Sequence, residues 1–131
     1  LDKRRAKLEL ADYGAHWADV EGEGEGDLAI LTFGSCTGVV REGLARARVD
    51  GVTARLVSMR LLSPAQPARL AAALAGVRRI LVIEQNHTGQ FFRHLRAEYD
   101  LPGTMTSLRR PGAMQFNPGD IHRHLIEWSR E

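Results

Sequence analysis

Three short and almost uninterrupted apolar runs constrain the fold of this chain most strongly. They are LAILTF at 28–33, LVSM at 56–59 and ILVI at 80–83. Runs of this length without polar alternation are typical of parallel strands that are covered on both faces. Between and after them, apolar residues recur every three or four positions, as they do along the buried face of a helix; these residues are Val40, Leu44 and Ala47, then Leu70, Leu74 and Val77, then Phe92, Leu95 and Tyr99. Alternating strands and helices predict the α/β class.

The carboxyl-terminal part of the chain completes this pattern. A short strand is predicted at 105–108, and Asn117, Pro118 and Asp120 form a typical start for a last helix. The inward stripe of that helix consists of Ile121, Leu125 and Trp128. We therefore predict an open three-layer α/β/α sheet, mostly parallel, with about five strands.

The first 26 residues have a different character, and we assign 1–26 to an amino-terminal segment and linker and 27–131 to the domain. Tyr13, Ala15 and Trp17 alternate weakly, as the residues of a strand would. The sequence EGEGEG at 21–26 combines acidic residues with glycine and predicts a flexible surface connection.

Composition argues against several functions. The 18 basic and 16 acidic residues leave a net charge of only +2, and the arginines are scattered without aromatic residues among them, which argues against nucleic-acid binding. The absence of a bilayer-length apolar stretch and of a signal-peptide pattern predicts a cytoplasmic protein without a membrane span. Cys36 is the only cysteine, so the chain cannot form an internal disulfide or a Cys-based zinc or iron–sulfur site. Because the chain opens with Leu1 instead of Met, we expect it to be a piece of a longer protein.

Two polar loops follow predicted strands, at 34–38 and at 84–90. In open α/β sheets, ligands bind outside the carboxyl ends of the strands, where neighbouring connections turn to opposite sides. Both loops lead into helix amino termini, which favour anions. One interpretation is therefore a contact with a phosphate or carboxylate. The other is that Ser35, Thr37 and Thr88 only cap their helices.

The sequence GSCTG at 34–38 also matches the GxSxG nucleophile elbow, with Cys36 at its centre. An enzyme of that class needs an acidic residue and then a histidine on later strands of a larger sheet, and too few strand-length segments follow. We therefore interpret Cys36 as a small packed residue. The five histidines offer no HxxxH pair, which argues against a metal site.

At this point the sequence resembles a known family. The stretch from 28 to 95 is similar to the transketolase carboxyl-terminal-like domain of the alpha subunit of 2-oxoacid:ferredoxin oxidoreductases. The resemblance rests on an apolar strand entering GSCTG, on the L-x-P-x-x-P turn at 62–67, and most specifically on a strand that ends in EQNHTGQ at 84–90. The KRRAK start resembles the linker that precedes this domain in the family.

The resemblance implies an activity for the intact enzyme. Members of the family use thiamine diphosphate and magnesium to decarboxylate a 2-oxoacid oxidatively, pass electrons through iron–sulfur clusters to ferredoxin and form acyl-coenzyme A. We favour 2-oxoglutarate as substrate, while pyruvate and branched-chain oxoacids remain open. The cofactors are held mainly by other alpha-subunit domains and by the beta subunit. We therefore expect this chain alone to bind no cofactor, to be inactive, and to self-associate through the surface that its partners would cover.

The resemblance also places the strand at 28–33 between those at 54–60 and 79–84, so that the two polar loops meet. We expect their residues to border an interface or active site; they are Ser35, Thr37, Gly38, Glu84, Gln85, Asn86, Thr88, Gly89 and Gln90. Glu84 could act as an acid or base, but a carboxylate at a strand end more often binds backbone N–H groups. Two alternatives remain: a stand-alone anion- or partner-binding module of the same fold, and the equivalent domain of another thiamine enzyme.

Overall fold

A computed structural model of the protein describes residues 14–85, 89–110 and 115–131. Within these ranges five strands form one sheet in the order β1-β3-β2-β4-β5, and only β1 runs antiparallel to its neighbour. The strands are β1 (Ala18–Glu21), β2 (Leu28–Phe33), β3 (Arg55–Met59), β4 (Arg79–Glu84) and β5 (Thr104–Arg109). The predicted α/β fold with a mostly parallel, five-stranded sheet is confirmed.

In the described part of the chain, four helices cover the two faces of this sheet. They are α1 (Thr37–Val49), which continues from a 3-10 turn at Gly34–Cys36, α2 (Pro67–Ala73), α3 (Gln90–Glu98) and α4 (Pro118–Ser129). Helices α1 and α4 bury their apolar residues against one face, and α2 and α3 bury theirs against the other. In the described ranges no helix has the length and apolar character needed to cross a membrane.

The central strand β2 shows why its apolar run is uninterrupted. Leu28 and Ile30 face the layer of α1 and α4, whereas Ala29 and Leu31 face the layer of α2 and α3. Ile30, Ala29 and Leu31 have no exposed surface. Successive side chains of a strand point to opposite faces, so a strand between two helical layers requires apolar residues at every position.

The amino-terminal strand differs from the prediction. The expected strand around 13–17 is wrong where the structure describes it, because Gly14–Trp17 forms a 3-10 helix and the strand begins at Ala18. Trp17 is buried in the layer of α2 and α3, and its carbonyl oxygen accepts hydrogen bonds from Arg60 N and Leu61 N at 2.9 and 3.1 Å. Strand β1 therefore lies within the segment that we assigned to the linker, and the domain boundary at 26 stays a prediction.

The acidic, glycine-rich segment is attached more firmly than its composition predicts. Arg55 is only 3% exposed. Its guanidinium group donates hydrogen bonds to the carbonyl oxygens of Glu25 at 3.1 Å, Gly26 at 2.8 Å and Ala73 at 3.1 Å. One buried arginine at the start of β3 thus links the connection before β2 to the end of α2.

The start of α4 confirms the predicted cap. The Asn117 side chain accepts a hydrogen bond from Asp120 N at 2.8 Å, the Asp120 carboxylate accepts one from Asn117 N at 3.3 Å, and Pro118 occupies the first turn. The Asn117 hydrogen bond is the main cause that lowers the pKa of Asp120. The predicted stripe of α3 is shifted by one residue at its start, because Phe91 is buried whereas Phe92 is only half-buried.

Val49 is the only large hydrophobic residue among those described that is strongly exposed. A single exposed apolar side chain is ordinary for a protein surface. The described surface therefore gives no direct support to the expected self-association, which stays a prediction.

Gly43 marks the closest approach of α1 and α4 and gives a test of this packing. A Cβ atom at this position would lie 2.5 Å from Ile121 Cβ and Cγ2, whereas a Cβ at Gly38 of the same helix would meet nothing within 4 Å. We expect Gly43→Ala to lower the free energy of unfolding by about 1–3 kcal/mol through overpacking. The control Gly38→Ala should leave it unchanged or raise it by roughly 0.5–1 kcal/mol. Urea denaturation of both variants measures the difference, and equal stabilities would contradict the proposed close contact.

Candidate functional site

The carboxyl ends of β2 and β4 lie side by side, and their connections turn in opposite directions. From β2 the chain passes through α1 to β3, and from β4 it passes through α3 to β5 on the other side and over the other face. The predicted position of 28–33 between the other two strands is therefore confirmed. This arrangement is a topological switch point, where open α/β sheets form ligand sites and interfaces.

Glu84 ends β4 at this point and is only 1% exposed. Its carboxylate accepts hydrogen bonds from Phe91 N and Phe92 N, each at 2.9 Å. A buried carboxylate satisfies two otherwise free N–H groups in the first turn of α3 and interacts favourably with the helix dipole. The interpretation that Glu84 binds backbone N–H groups is confirmed.

Gln85 connects this loop to a distant part of the chain. Its Oε1 accepts a hydrogen bond from Phe116 N at 3.0 Å, and its Nε2 donates one to the Arg110 carbonyl oxygen at 3.3 Å. The amide thus fixes the connection between β5 and α4 against the end of β4. These contacts of Gln85 lie within the domain and not across an interface.

The loop at 34–38 departs from the capping prediction. Neither the 3-10 turn nor α1 begins with a side-chain cap in the structure, so the prediction that Ser35 and Thr37 cap a helix is wrong. The 3-10 turn runs directly into α1, and Thr37 N donates to the Gly34 carbonyl oxygen. Backbone geometry replaces the side-chain cap here. Ser35 and Gly38 are exposed, and Thr37 is half-buried.

Cys36 is 2% exposed and packs in the layer of α1 and α4. Burial, and after it the negative charge of Glu84, raises the pKa of the thiol from 9.0 to about 11. Strands β2 and β4 pair in parallel, so the two polar loops that follow them lie at the same edge of the sheet, as expected. A thiol with a raised pKa is a poor nucleophile, which agrees with a packing role.

Asn86 and Thr88 lie outside the described residues, but the structure shows the end of their loop. Gly89 is buried and has a φ of 69°, a backbone conformation that favours glycine. The Arg109 guanidinium group occupies the space that a side chain at Gly89 would need. Gln90 is exposed at the start of α3 and borders a cleft of about 210 Å³ that is also lined by Phe33, Leu62, Phe91 and His94.

Sequence analysis missed two residues around this loop. Arg109 packs against Gly89, and His94 Nε2 makes a hydrogen bond of 2.9 Å with the Leu62 carbonyl oxygen, which ties α3 to the L-x-P-x-x-P turn. The glycine in EQNHTGQ could have indicated a close approach of another group. The identity of that group depends on the pairing of β4 with β5 and could not be deduced from local sequence.

Among the described residues, no group of three or more histidine, cysteine, aspartate or glutamate side chains is arranged to hold a metal ion. This part of the chain therefore offers no ligand cluster for a magnesium ion.

The fold and the loops define the class of domain. It is an open, three-layer α/β domain in which the side chains of Glu84 and Gln85 form hydrogen bonds with backbone groups at the switch point. No family model matches the chain. It is 36% identical over 80 residues to the alpha subunit of 2-oxoacid:ferredoxin oxidoreductase 2 from Aeropyrum pernix, a match that covers 61% of this chain and 12% of that subunit.

Two solved structures are similar to the chain. The 2-oxoglutarate:ferredoxin oxidoreductase from Magnetococcus marinus, with 2-oxoglutarate, coenzyme A and succinyl-CoA bound, superposes with a TM-score of 0.77 and 30% identity over 98% of this chain and 22% of that one. The alpha chain of a probable 2-oxoacid ferredoxin oxidoreductase from Thermoplasma acidophilum has a TM-score of 0.57 and 20% identity, and covers 89% of this chain and 100% of that one. The second similarity concerns the fold alone.

The resemblance to 2-oxoacid:ferredoxin oxidoreductases is thereby confirmed: the chain is similar to a part of these enzymes, and the relative from Aeropyrum pernix is an alpha subunit. It spans only 12% of the curated relative and 22% of the first structural relative.

The raised pKa of Cys36 leads to a pH-dependent prediction. The folded state binds the thiol proton more tightly than the unfolded state, so this contribution to stability is complete below pH 9 and is lost as the pH rises through about 11. We expect the stability of the chain to fall between these pH values, and to fall less in Cys36→Ala, which has no thiol to titrate. Urea midpoints measured across this range test the idea, and identical slopes for the two proteins would contradict it.

Proposed function

We propose that the chain is the transketolase carboxyl-terminal-like domain of the alpha subunit of a cytoplasmic 2-oxoacid:ferredoxin oxidoreductase. The intact enzyme would convert a 2-oxoacid, with 2-oxoglutarate favoured, to acyl-CoA and transfer electrons to ferredoxin. Thiamine diphosphate, magnesium and iron–sulfur clusters would be held by the other alpha-subunit domains and the beta subunit. The superposition of 98% of this chain on a 2-oxoglutarate:ferredoxin oxidoreductase at 30% identity carries the proposal.

Within that enzyme the domain would serve assembly and active-site support. Two titratable groups at the switch point support this role, because the Glu84 carboxylate binds backbone N–H groups and the Cys36 thiol is buried with a raised pKa. Acid–base catalysis requires a group that can reach the substrate. Side chains that hold the backbone of their own domain in place suit a surface that positions neighbouring domains.

Cofactor binding by the isolated chain provides one test. We expect isothermal titration calorimetry with thiamine diphosphate and magnesium to show no binding in the micromolar range, because the described residues contain no metal-ligand cluster. The intact enzyme is the positive control. A dissociation constant in the micromolar range, which corresponds to about −8 kcal/mol, would show that the chain has a cofactor site of its own.

The paired variants Gln85→Ala and Gln90→Ala separate structural support from an interface role. Gln85 bonds to the connection between β5 and α4, so its loss should destabilise the isolated chain by about 1–3 kcal/mol through unsatisfied partners. Gln90 is exposed on α3, so Gln90→Ala should destabilise the isolated chain less than Gln85→Ala does.

In the assembled enzyme we expect Gln90→Ala to have a larger effect than it has on the isolated chain. Gln90→Ala should weaken subunit association or lower turnover, because the substitution removes an amide from the surface that a neighbouring domain would cover. Urea denaturation of the chain and steady-state kinetics of the enzyme provide the two measurements. If Gln90→Ala leaves the assembled enzyme unaffected, the interface role of this loop must be abandoned.

A further inference from the structure

A second cleft lies beside the other loop, between the carboxyl ends of β2 and β3 and the start of α1. Its volume is about 560 Å³, which is within the range of small-molecule sites. Its lining includes four polar or charged side chains besides Thr37, namely Asp19, Arg41, Ser58 and Arg60. None of these four belongs to the set predicted from sequence.

Ser58 is the first reason to regard the cleft as a ligand site. The residue is 3% exposed, and its Oγ has no hydrogen-bond partner within the described part of the chain. Ser58 pairs with Asp19 across β1 and β3, so the two side chains point to the same face of the sheet. That is the face covered by α1, because Leu56, two residues earlier, packs in the layer of α1 and α4. A buried hydroxyl without a partner is costly unless a ligand or water completes it.

The two arginines of the cleft are the second reason. Arg60 Nη2 donates to Asp19 Oδ2 at 2.7 Å. Arg41 lies 3.7 Å from the same Asp19 oxygen and 3.8 Å from Glu21 Oε2. Both distances are longer than a hydrogen bond, so these ion pairs leave the N–H groups of Arg41 able to donate to a ligand. Two guanidinium groups thus converge on one side of the cleft.

The helix start is the third reason. The 3-10 turn and α1 have no acidic residue in their first turns and no side-chain cap in the structure. Gly34 and Thr37, from this start, line the cleft. The positive end of a helix dipole adds to the charge of the two arginines.

We propose that this cleft binds the phosphate or diphosphate group of a small ligand. Arg41 and Arg60 clamp the anion, while the hydroxyl groups of Ser58 and Thr37 supply further donors. The Asp19 carboxylate holds the guanidinium groups in position and competes with the anion for them. This inference does not depend on the proposed function of the intact enzyme.

Pyrophosphate is the probe for the test, titrated into the 131-residue chain at constant ionic strength and followed by amide chemical shifts. We expect saturable binding with a millimolar dissociation constant and with shifts at 34–38 and 58–60. Arg60→Gln should weaken binding by about tenfold, and Asp19→Asn should tighten it several-fold by removing the competing charge. Arg46→Gln is the matched control, because Arg46 pairs with Glu42 on the exposed side of α1 at 2.9 Å.

Further ligands identify the chemical source of the anion. If adenosine diphosphate binds more tightly than pyrophosphate, the natural ligand is a nucleotide; if the two bind equally, phosphate alone is recognised. Either result supports the cleft. Tighter binding of succinate than of pyrophosphate would overturn the phosphate assignment. The whole proposal fails if binding is not saturable, if Arg46→Gln weakens it as much as Arg60→Gln, or if Asp19→Asn weakens it.

Discussion

Burial of β2 on both faces is the constraint on which the rest of the structure depends. Leu28 and Ile30 are covered by one helical layer, and Ala29 and Leu31 by the other. Full burial of a leucine or isoleucine side chain contributes roughly 1.5–3 kcal/mol, so neither layer can be removed without exposing a large part of the core. Because helices must cover both faces, the connection after β2 passes over one face and the connection after β4 passes over the other. The polar loops that begin these connections lie between them, at the carboxyl ends of the two strands.

Backbone N–H and C=O groups at that edge of the sheet need hydrogen-bond partners, which one buried carboxylate and one partly buried amide provide. Buried N–H and C=O groups need partners. Glu84 supplies both of its oxygens to the start of α3, and Gln85 uses both ends of its amide on the connection before α4. The Thr32 side chain, which has no exposed surface, donates a hydrogen bond from its hydroxyl group to the Ile83 carbonyl oxygen at 3.0 Å, and so links β2 to β4. Three polar residues, Thr32, Glu84 and Gln85, thus hold the backbone at the switch point from inside the domain.

The success and failure of the sequence predictions follow the range of the interactions involved. The strands, the helices and the Asn117 cap depend on periodicity or on contacts three residues apart, and they were predictable. Arg55 bonds to carbonyl groups 18 to 30 residues away, and no local pattern reveals such partners. Strand β1 was placed too early, although ADVE at Ala18–Glu21 alternates apolar and acidic residues. Four residues are too few to distinguish a strand from chance alternation. In addition, the two acidic residues of β1 pair with Arg41, which lies on α1 about 20 residues later in the sequence, so the local sequence does not reveal this contact.

Among the described residues at the carboxyl ends of the strands, the polar groups between β2 and β4 have hydrogen-bond partners within the domain, whereas some of those between β2 and β3 do not. This difference indicates where a ligand can bind. Between β2 and β4, a ligand that displaced Glu84 or Gln85 would leave N–H or carbonyl groups without partners, at a cost of about 1–3 kcal/mol for each. Between β2 and β3, the Ser58 hydroxyl has no partner among the described residues, and Arg41 contacts its acids only at ion-pair distance. An anion there gains hydrogen bonds without breaking any to Ser58 or Arg41, and only the contact between Arg60 and Asp19 has to be exchanged. The site between β2 and β4 is therefore suited to stabilise the fold, and the cleft between β2 and β3 is suited to bind a ligand.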